Sequence, residues 1–449
     1  MKLLSGLAIA TALLLNNLFL MATPIIDHPV VPNTSSTGLS FQLVTNHKGL
    51  DNTSIHRGCD GFLHLHHNVS TSVTNVTSLR PEMAPPPVRL PTVLLVHLGS
   101  DQTQYMLKVD TSSILTWLQC KPCQPQARQH SPIFDPATSS TFQNIPGTSL
   151  ICRHPDQSVF SGARCSFHLT GPSSMSVDGY LAHEKLSVGN YVVETQFLMG
   201  CSHSTHNFNN RDMYAGVTNI GRAPTSLVMQ VAASGLSRFS YCLVGSTSKA
   251  IRQGFLRFGT DIPLNPQYRT TRFLPALNAD DSEYYVSLVG VSLGTRRLNG
   301  IRQEMFARSK DGQGGCVVDL GTSLTMMVQE AYSVVEEEMW SDLQSQGVER
   351  VKQPGFSLCV RMTREIKGSL PSLSLHFAEE EATLVLSSKQ LFLMMNDEHG
   401  QIACLAMTPG HRTIIGAFQQ MDTRFVYDIK DSTLSFAQES CIRDSTEVI

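Results

Sequence analysis

Residues 317–327 read VVDLGTSLTMM, and residues 108–118 read KVDTSSILTWL. The two share one skeleton: apolar residues, an aspartate, a short run of small or hydroxylated residues, then apolar residues again. Taken singly, Asp-Thr-Ser or Asp-Leu-Gly-Thr is a β-turn in which the aspartate caps its own backbone. Together they argue for more. Asp110 and Asp319 lie 209 positions apart, the length of one lobe. Each is followed about 100 residues later by an apolar–Gly turn, TNIGRA at 218–223 and TIIGAF at 413–418. This echo predicts two duplicated lobes. Each would set one aspartate at the end of a core strand, and both side chains would meet in a central cleft.

Two carboxylates held close together cannot both ionise easily, so they share one proton. The ionised partner can take a proton from a water while the protonated partner donates to a carbonyl oxygen, and the water attacks. The scheme needs small residues beside each aspartate, because backbone N–H groups must approach the carboxylates. It also needs hydroxyls nearby to orient them. Thr111, Ser112, Ser113, Gly321 and Thr322 are the candidates for that support.

The chain has 449 residues, too many for one small core and enough for two lobes. Charged residues make up 16%, the net charge is −3, and no run of Lys or Arg occurs, so no nucleic-acid partner is expected. Lys2 precedes the apolar run LLSGLAIATALLL, which Asn16 and Asn17 interrupt and MATP follows. That is a secretory signal pattern with a cut near Ala22. A membrane anchor is the other reading, but the run falls short of a spanning helix. The expected location is therefore secreted and extracellular, in the apoplast or a similar space, without stable membrane association. Eleven cysteines suit an oxidising compartment. Setting aside Cys59 in the N-terminal region leaves ten, an even set that can pair completely, in a connectivity that order does not give. Cys120 and Cys123 have C-x-x-C spacing; a zinc half-site would need a second such pair, and secretion favours a bridge.

Residues from about 23 to 90 differ from the rest. They hold four N-x-S/T sequons, at Asn33, Asn52, Asn68 and Asn75, and run out through EMAPPPVRLP. This is the pattern of a glycosylated presegment closing in a Pro-rich linker. His64, His66 and His67 cluster there without a Cys or carboxylate set to complete a metal site, and no metal or cofactor is expected. From residue 92 onward the chain is β-rich: TVLLVHLG, QYMLKVD, NYVVETQFLMG, YYVSLVGVSLG, GCVVD and RFVYDI are short β-branched and aromatic runs ended by turn residues. Two helices are expected, TSLVMQVAASG with a Thr cap and a Gly stop, and QEAYSVVEEEMWSDLQSQG ending at Gly347. Many short strands and few helices indicate an all-β fold. The expected organisation is a signal peptide at 1–22, presegment and linker at 23–90, an N-terminal lobe at 91–258 and a C-terminal lobe at 259–449.

Over residues 92–441 the chain resembles a pepsin-like aspartic protease of the plant nepenthesin type. DTSSILTWLQCKPC is similar to the family's DTGSDLTWLQCxPC, and SPIFDPATSSTF to its PxFDPxxSSTY. SRFSYCL and YYVSLVGVSLGTRRL nearly match family stretches, CVVDLGTSLT resembles IIDSGTSLT, and IIGAFQQMDTRFVYDI resembles IIGNFQQQNxRVVYDL. GLSFQLV in the presegment looks like the start of the family's propeptide. The resemblance implies a bilobal pepsin-like fold with Asp110 and Asp319 as the catalytic pair. It implies that the Thr111 hydroxyl bridges the lobes beneath them and that the Ser113 and Thr322 hydroxyls bond their outer oxygens. Trp117 would stand behind a mobile flap. Cys242 would pair with Cys441, and Cys359 with Cys404.

The departures from the family pattern gather at the site. Ser112 replaces a glycine, adding a side chain where backbone packs close to a carboxylate. Leu320 replaces a hydroxylated residue and removes half of the grip between lobes. The flap, YGDGSxTxG in the family, is GPSSMSVDG here, with Gly171 at the tyrosine's place and Ser174 close behind it. Loss of that ring is expected to slow catalysis. DGIxGLGR has become AGVTNIGR, and two family cysteines are replaced by Gln126 and Gly147, which makes Cys316 a candidate free and buried thiol.

The reading is a secreted, monomeric aspartic-type endopeptidase. It would be made as a zymogen and hydrolyse polypeptide substrates at acidic pH. The alternative is an impaired homologue that binds another secreted protein, in the manner of the xylanase-inhibitor relatives. A sugar-binding β protein has little support from 2 Trp and 7% aromatics.

Overall fold

Alternation along one strand already carries both core and site. In β3 (Thr103–Asp110, TQYMLKVD), Tyr105, Leu107 and Val109 face the main hydrophobic core, while Met106, Lys108 and Asp110 share the opposite face. β2 (Thr92–Leu98) runs antiparallel beside it, from Val93↔Lys108 to Leu98↔Thr103. The computed structural model describes residues 39–45 and 92–443, apart from 123–126, 154–159, 162–163, 172–173, 189–190, 209–213, 246–251, 279–280 and 364–365. All of these belong to one compact unit, Ser36–Ile449. The signal pattern, the sequons, Cys59, Cys123 and the His64–His67 cluster lie outside the described residues.

The fold is all-β and bilobal, as expected. A 15-stranded sheet is its largest element, followed by sheets of five, four and four strands. Each aspartate strand has the same kind of neighbour. Strand Gly216–Asn219 lies parallel to β3, with Asn219 opposite Asp110, and leads into Ile220-Gly221. Strand Thr413–Ile415 lies parallel to Cys316–Val318, with Ile415 opposite Val318, and leads into Gly416. The echo between the apolar–Gly turns is thus a structural one. Strands from the second half of the chain, Arg269–Arg272, Thr423–Asp428 and Thr433–Gln438, complete the large sheet beside Arg238–Cys242 and Arg252–Phe258. The division expected at 258/259 is therefore bridged by backbone hydrogen bonds.

Both expected helices form. α1 (Leu227–Ala233) is capped by Ser226, whose hydroxyl accepts from Met229 N, rather than by Thr225. Thr225 instead donates to the carbonyl of Ile114, tying the helix start to the first aspartate turn. α2 (Gln329–Ser345) buries Ala331, Tyr332, Val335, Met339 and Leu343 and is followed by Gly347 at φ +74°.

Four disulfides are formed among the described residues. Cys242–Cys441 and Cys359–Cys404 are the pairs implied by the resemblance. Cys120 pairs with Cys201 and Cys152 with Cys165. Cys316 is free and buried, so the ten cysteines beyond Cys59 do not pair completely. Burial pushes its thiol up to about 12.

The presegment contributes a strand to the body of the protein. β1 (Leu39–Thr45) pairs antiparallel with Arg252–Phe258 along its whole length, from Leu39↔Phe258 to Thr45↔Arg252, and its last three residues pair with β2. Phe41 and Leu43 are buried in the main core, Phe41 edge-on to Phe258, and Ser40 Oγ donates to Asp261 Oδ2 at 2.8 Å. The segment expected as a removable leader is, over 39–45, an interior strand. Replacing Phe41 by Ala should lower the unfolding free energy by about 3 kcal/mol, the scale of a deleted core ring. Chemical denaturation of the full chain checks this, and a change below about 0.5 kcal/mol would mean that β1 is peripheral.

Candidate active site

The first half of the site grows out of β3. The chain turns sharply after Asp110, and the turn closes on the carboxylate. Ser112 N, Ser112 Oγ and Ser113 N donate to Asp110 Oδ1 at 2.8, 2.8 and 2.9 Å. Ile220 N, from the neighbouring apolar–Gly turn, donates to the Asp110 carbonyl at 3.0 Å. Lys108, two residues back on the same face, places Nζ 3.7 Å from Asp110 Oδ2.

The second half follows strand Cys316–Val318. Asp319 N donates to Ile415 O, which fixes the backbone. Gly321 N donates to Asp319 Oδ1 at 2.8 Å and Thr322 Oγ1 to Oδ2 at 2.6 Å. Gln420 Nε2 donates to the Asp319 and Ile415 carbonyls at 3.1 and 2.7 Å, while its side-chain oxygen accepts from Tyr241 OH at 2.6 Å. One amide side chain thereby ties the aspartate turn to the large sheet. Gln420 lies in the stretch IIGAFQQMDTRFVYDI, whose resemblance implied no role for it.

The halves meet at Thr111 and Gly321. Thr111 N donates to Asp319 Oδ1 at 3.3 Å, and its hydroxyl reaches the same oxygen and Val318 O. From the other side, a Cβ placed on Gly321 would lie 2.8 Å from Asp110 Oδ2, inside contact distance, so only glycine fits there. Each turn is therefore packed against the other's carboxylate, which brings the two side chains close enough for the charge of Asp110 to act on Asp319. Asp319 is 6% exposed. Burial, reinforced by the charge of Asp110, holds its carboxyl above the usual range, against the hydrogen bonds from Thr111, Thr322 and Gly321.

Several expectations change in detail. Ser112 does not crowd the carboxylate: its side chain is exposed, and its hydroxyl is one more donor to Asp110. Ser113 Oγ donates to Leu115 O at 3.1 Å, so Ser113 reaches Asp110 through its amide and not its hydroxyl. Leu320 is buried in the main core and has no hydroxyl to answer that of Thr111; the return hydroxyl contacts come instead from Ser282, which donates to Ser112 O at 3.0 Å, and Tyr284, which donates to Ile220 O at 2.9 Å.

Gly171 closes the hairpin between Arg164–Gly171 and Met175–Val188, opposite Met175. Ser174 takes φ +55°, and its carbonyl accepts from Asn207 Nδ2 at 3.1 Å. Trp117, in β4 (Trp117–Gln119), is buried and meets the ring of Phe208 edge-on at 5.2 Å. Phe208 in turn contacts Tyr214 at 5.7 Å. An aromatic cluster therefore stands behind the hairpin although Gly171 brings no ring. Sequence reading missed Phe208 because it lies in the polar stretch HNFNN, without periodicity.

Two family profiles match the chain, one described as xylanase inhibitor N-terminal over residues 93–260 and one as xylanase inhibitor C-terminal over residues 283–438. Aspartyl protease family protein 2 of Arabidopsis thaliana is 30% identical over 77% of this chain and 70% of its own length. The chain belongs to the pepsin-like aspartic protease family of plants. Among its relatives is aspartic proteinase nepenthesin-1 of Nepenthes gracilis, 29% identical over 77% of each chain. The crystal structure of basic 7S globulin from soybean shares the fold, with a TM-score of 0.61 over 78% of this chain and 93% of that one at 19% identity. Both family profiles fall within residues 92–443, so the family body of this aspartic protease homologue begins at β2.

The raised Asp319 carboxyl has a testable consequence. A carboxyl that holds its proton more tightly when folded than when unfolded makes stability fall as pH rises through the interval between the two values. Asn at this position keeps the shape and carries no charge. Asp319→Asn should melt close to the unmodified protein at pH 4 and a few degrees above it at pH 7, as followed by calorimetry. An equal difference at both pH values would show that Asp319 carries no such burden.

Proposed function

We propose that this protein is an aspartic-type endopeptidase that hydrolyses polypeptides at acidic pH. The observation that carries the reading is the close pair of carboxyls with unequal surroundings. Asp319 is buried and favours its protonated form, while Asp110 accepts three hydrogen bonds on one oxygen. In this arrangement Asp110 is the base. A water between the carboxylates gives a proton to Asp110 while Asp319 donates its own to the scissile carbonyl oxygen, and the water oxygen bonds to the carbonyl carbon. The tetrahedral gem-diol collapses as the proton on Asp110 passes to the leaving amine and one of its hydroxyls returns a proton to Asp319, which restores the pair. Acidic pH is required because the pair must hold one proton between them.

Secretion is part of the proposal. The N-terminal signal pattern supports it, and so do four disulfides in the described residues. Among the described residues no helix is long and apolar enough to cross a membrane, and no group of His, Cys, Asp and Glu could hold a metal. We take the protein to act as a monomer on a protein substrate. β1 stays with the body in this reading, which confines any zymogen segment to residues on either side of it. A second reading, a cleft or surface that binds another secreted protein, is favoured by the missing ring at Gly171 and by family profiles described as xylanase inhibitor.

Denatured globin incubated with the purified protein from pH 3 to pH 6 separates the two. Cleavage should be blocked by pepstatin and should fall at least about 100-fold in Asp110→Asn. Absence of pepstatin-sensitive cleavage, or equal cleavage by the variant, would favour the binding reading instead.

A further inference from the structure

Lys108 has no part in the scheme above, yet its ammonium is the charged group of opposite sign beside the pair. Its place follows from β3 itself, since residues two apart on a strand share a face. The backbone partners of Lys108 on the flanking strands are Val93 and Val217, both buried and apolar. Three-quarters of the side chain is covered, and its ion pair is with Asp110 Oδ2 at 3.7 Å. The ionisable groups that face it are Asp110, Tyr214 and Asp319. Asp319 faces in addition Tyr241 and Tyr427, both driven by burial far above the range in which they would titrate with the carboxyls. Burial alone would depress the ammonium, but the negative charges around it outweigh burial and keep it protonated.

We propose that Lys108 is a positioning residue that fixes Asp110 as the anionic member of the pair and sets the pH range over which the pair holds a single proton. The assignment rests on the peptidase reading for its consequence and on the geometry for its cause. At 3.7 Å the ammonium is beyond hydrogen-bond distance, so Asp110 Oδ2 keeps its capacity to accept from a water. All three donors on the other side of that carboxylate converge on Oδ1. The anion is thus held from two directions while the oxygen facing Gly321 stays available. A nearby cation favours both the singly and the doubly ionised pair, so both limbs of a bell-shaped pH profile lie lower than they would without it.

The test uses the full chain and two variants, Lys108→Met, which keeps the apolar stem, and Lys108→Arg, which restores the charge. The pH profile of kcat/KM for a quenched peptide should move upward on both limbs by about one pH unit in the Met variant. The Arg variant should return towards the unmodified profile. Superimposed profiles, or an Arg variant that behaves like Met, would overturn the assignment. Titration of the carboxyl-carbon resonances in protein labelled at aspartate gives a second readout that needs no turnover. If the unmodified protein cleaves nothing at any pH, the peptidase reading falls, and the assignment of Lys108 stands or falls on whether the titration of the pair moves upward in the Met variant.

Discussion

A carboxyl group taken almost wholly out of water is the constraint around which this molecule is arranged. Asp319 accepts from an amide and a hydroxyl of its own turn, and from an amide and a hydroxyl of the other lobe. A buried polar oxygen left without donors would cost about 1–3 kcal/mol or more. Meeting that demand requires Thr111, 208 residues away, to be held against the second turn. The parallel strands Gly216–Asn219 and Thr413–Ile415, and the Gln420 amide, hold the backbone on each side. The two lobes are thus joined at their chemical centre as well as through the large sheet.

The two aspartate turns share one strand arrangement and are unequal in chemistry. Asp110 is partly exposed and has a serine hydroxyl and a lysine beside it. Asp319 is enclosed, with a leucine where the first lobe has Thr111. The inequality assigns different work to two residues that the duplicated pattern presents as equals. It also changes the meaning of the departures from the family motif. Ser112 supplies a donor without crowding the turn, whereas Leu320 joins the core and gives up a hydroxyl contact between lobes. At the hairpin Gly171 brings no ring, and the aromatic surface behind it comes from Phe208 and Trp117.

β1 shows how far the fold depends on contacts remote in sequence. Its seven residues lie between β2 and a strand some two hundred positions further along, and two of its side chains enter the main core. Composition marks the surrounding segment as unlike the rest of the chain, and by that measure it reads as a leader. Yet Phe41 and Leu43 alternate with Ser40 and Gln42, as a half-buried strand requires, so a local signal was present. What composition lacks is any statement of which strands would offer it an edge.

Local pattern was enough for the aspartate turns, the strand runs and both helices, because turn chemistry and the two- and 3.6-residue repeats are properties of neighbouring residues; the free thiol at Cys316 came from the resemblance, through the two family cysteines this chain lacks. The spacing of Asp110 and Asp319 even foretold that two lobes would meet. Other features arose only when distant segments packed: Cys120 reaching Cys201, the Thr111 hydroxyl reaching Asp319, and the partnership of Phe208 with Trp117. Lys108 falls between these cases. Its shared face with Asp110 can be read from a two-residue interval, but whether its charge would lie in open water or beside the pair depended on the walls that other strands raised around it. Burial sets the strength of a charge–charge interaction, and burial belongs to the assembled chain.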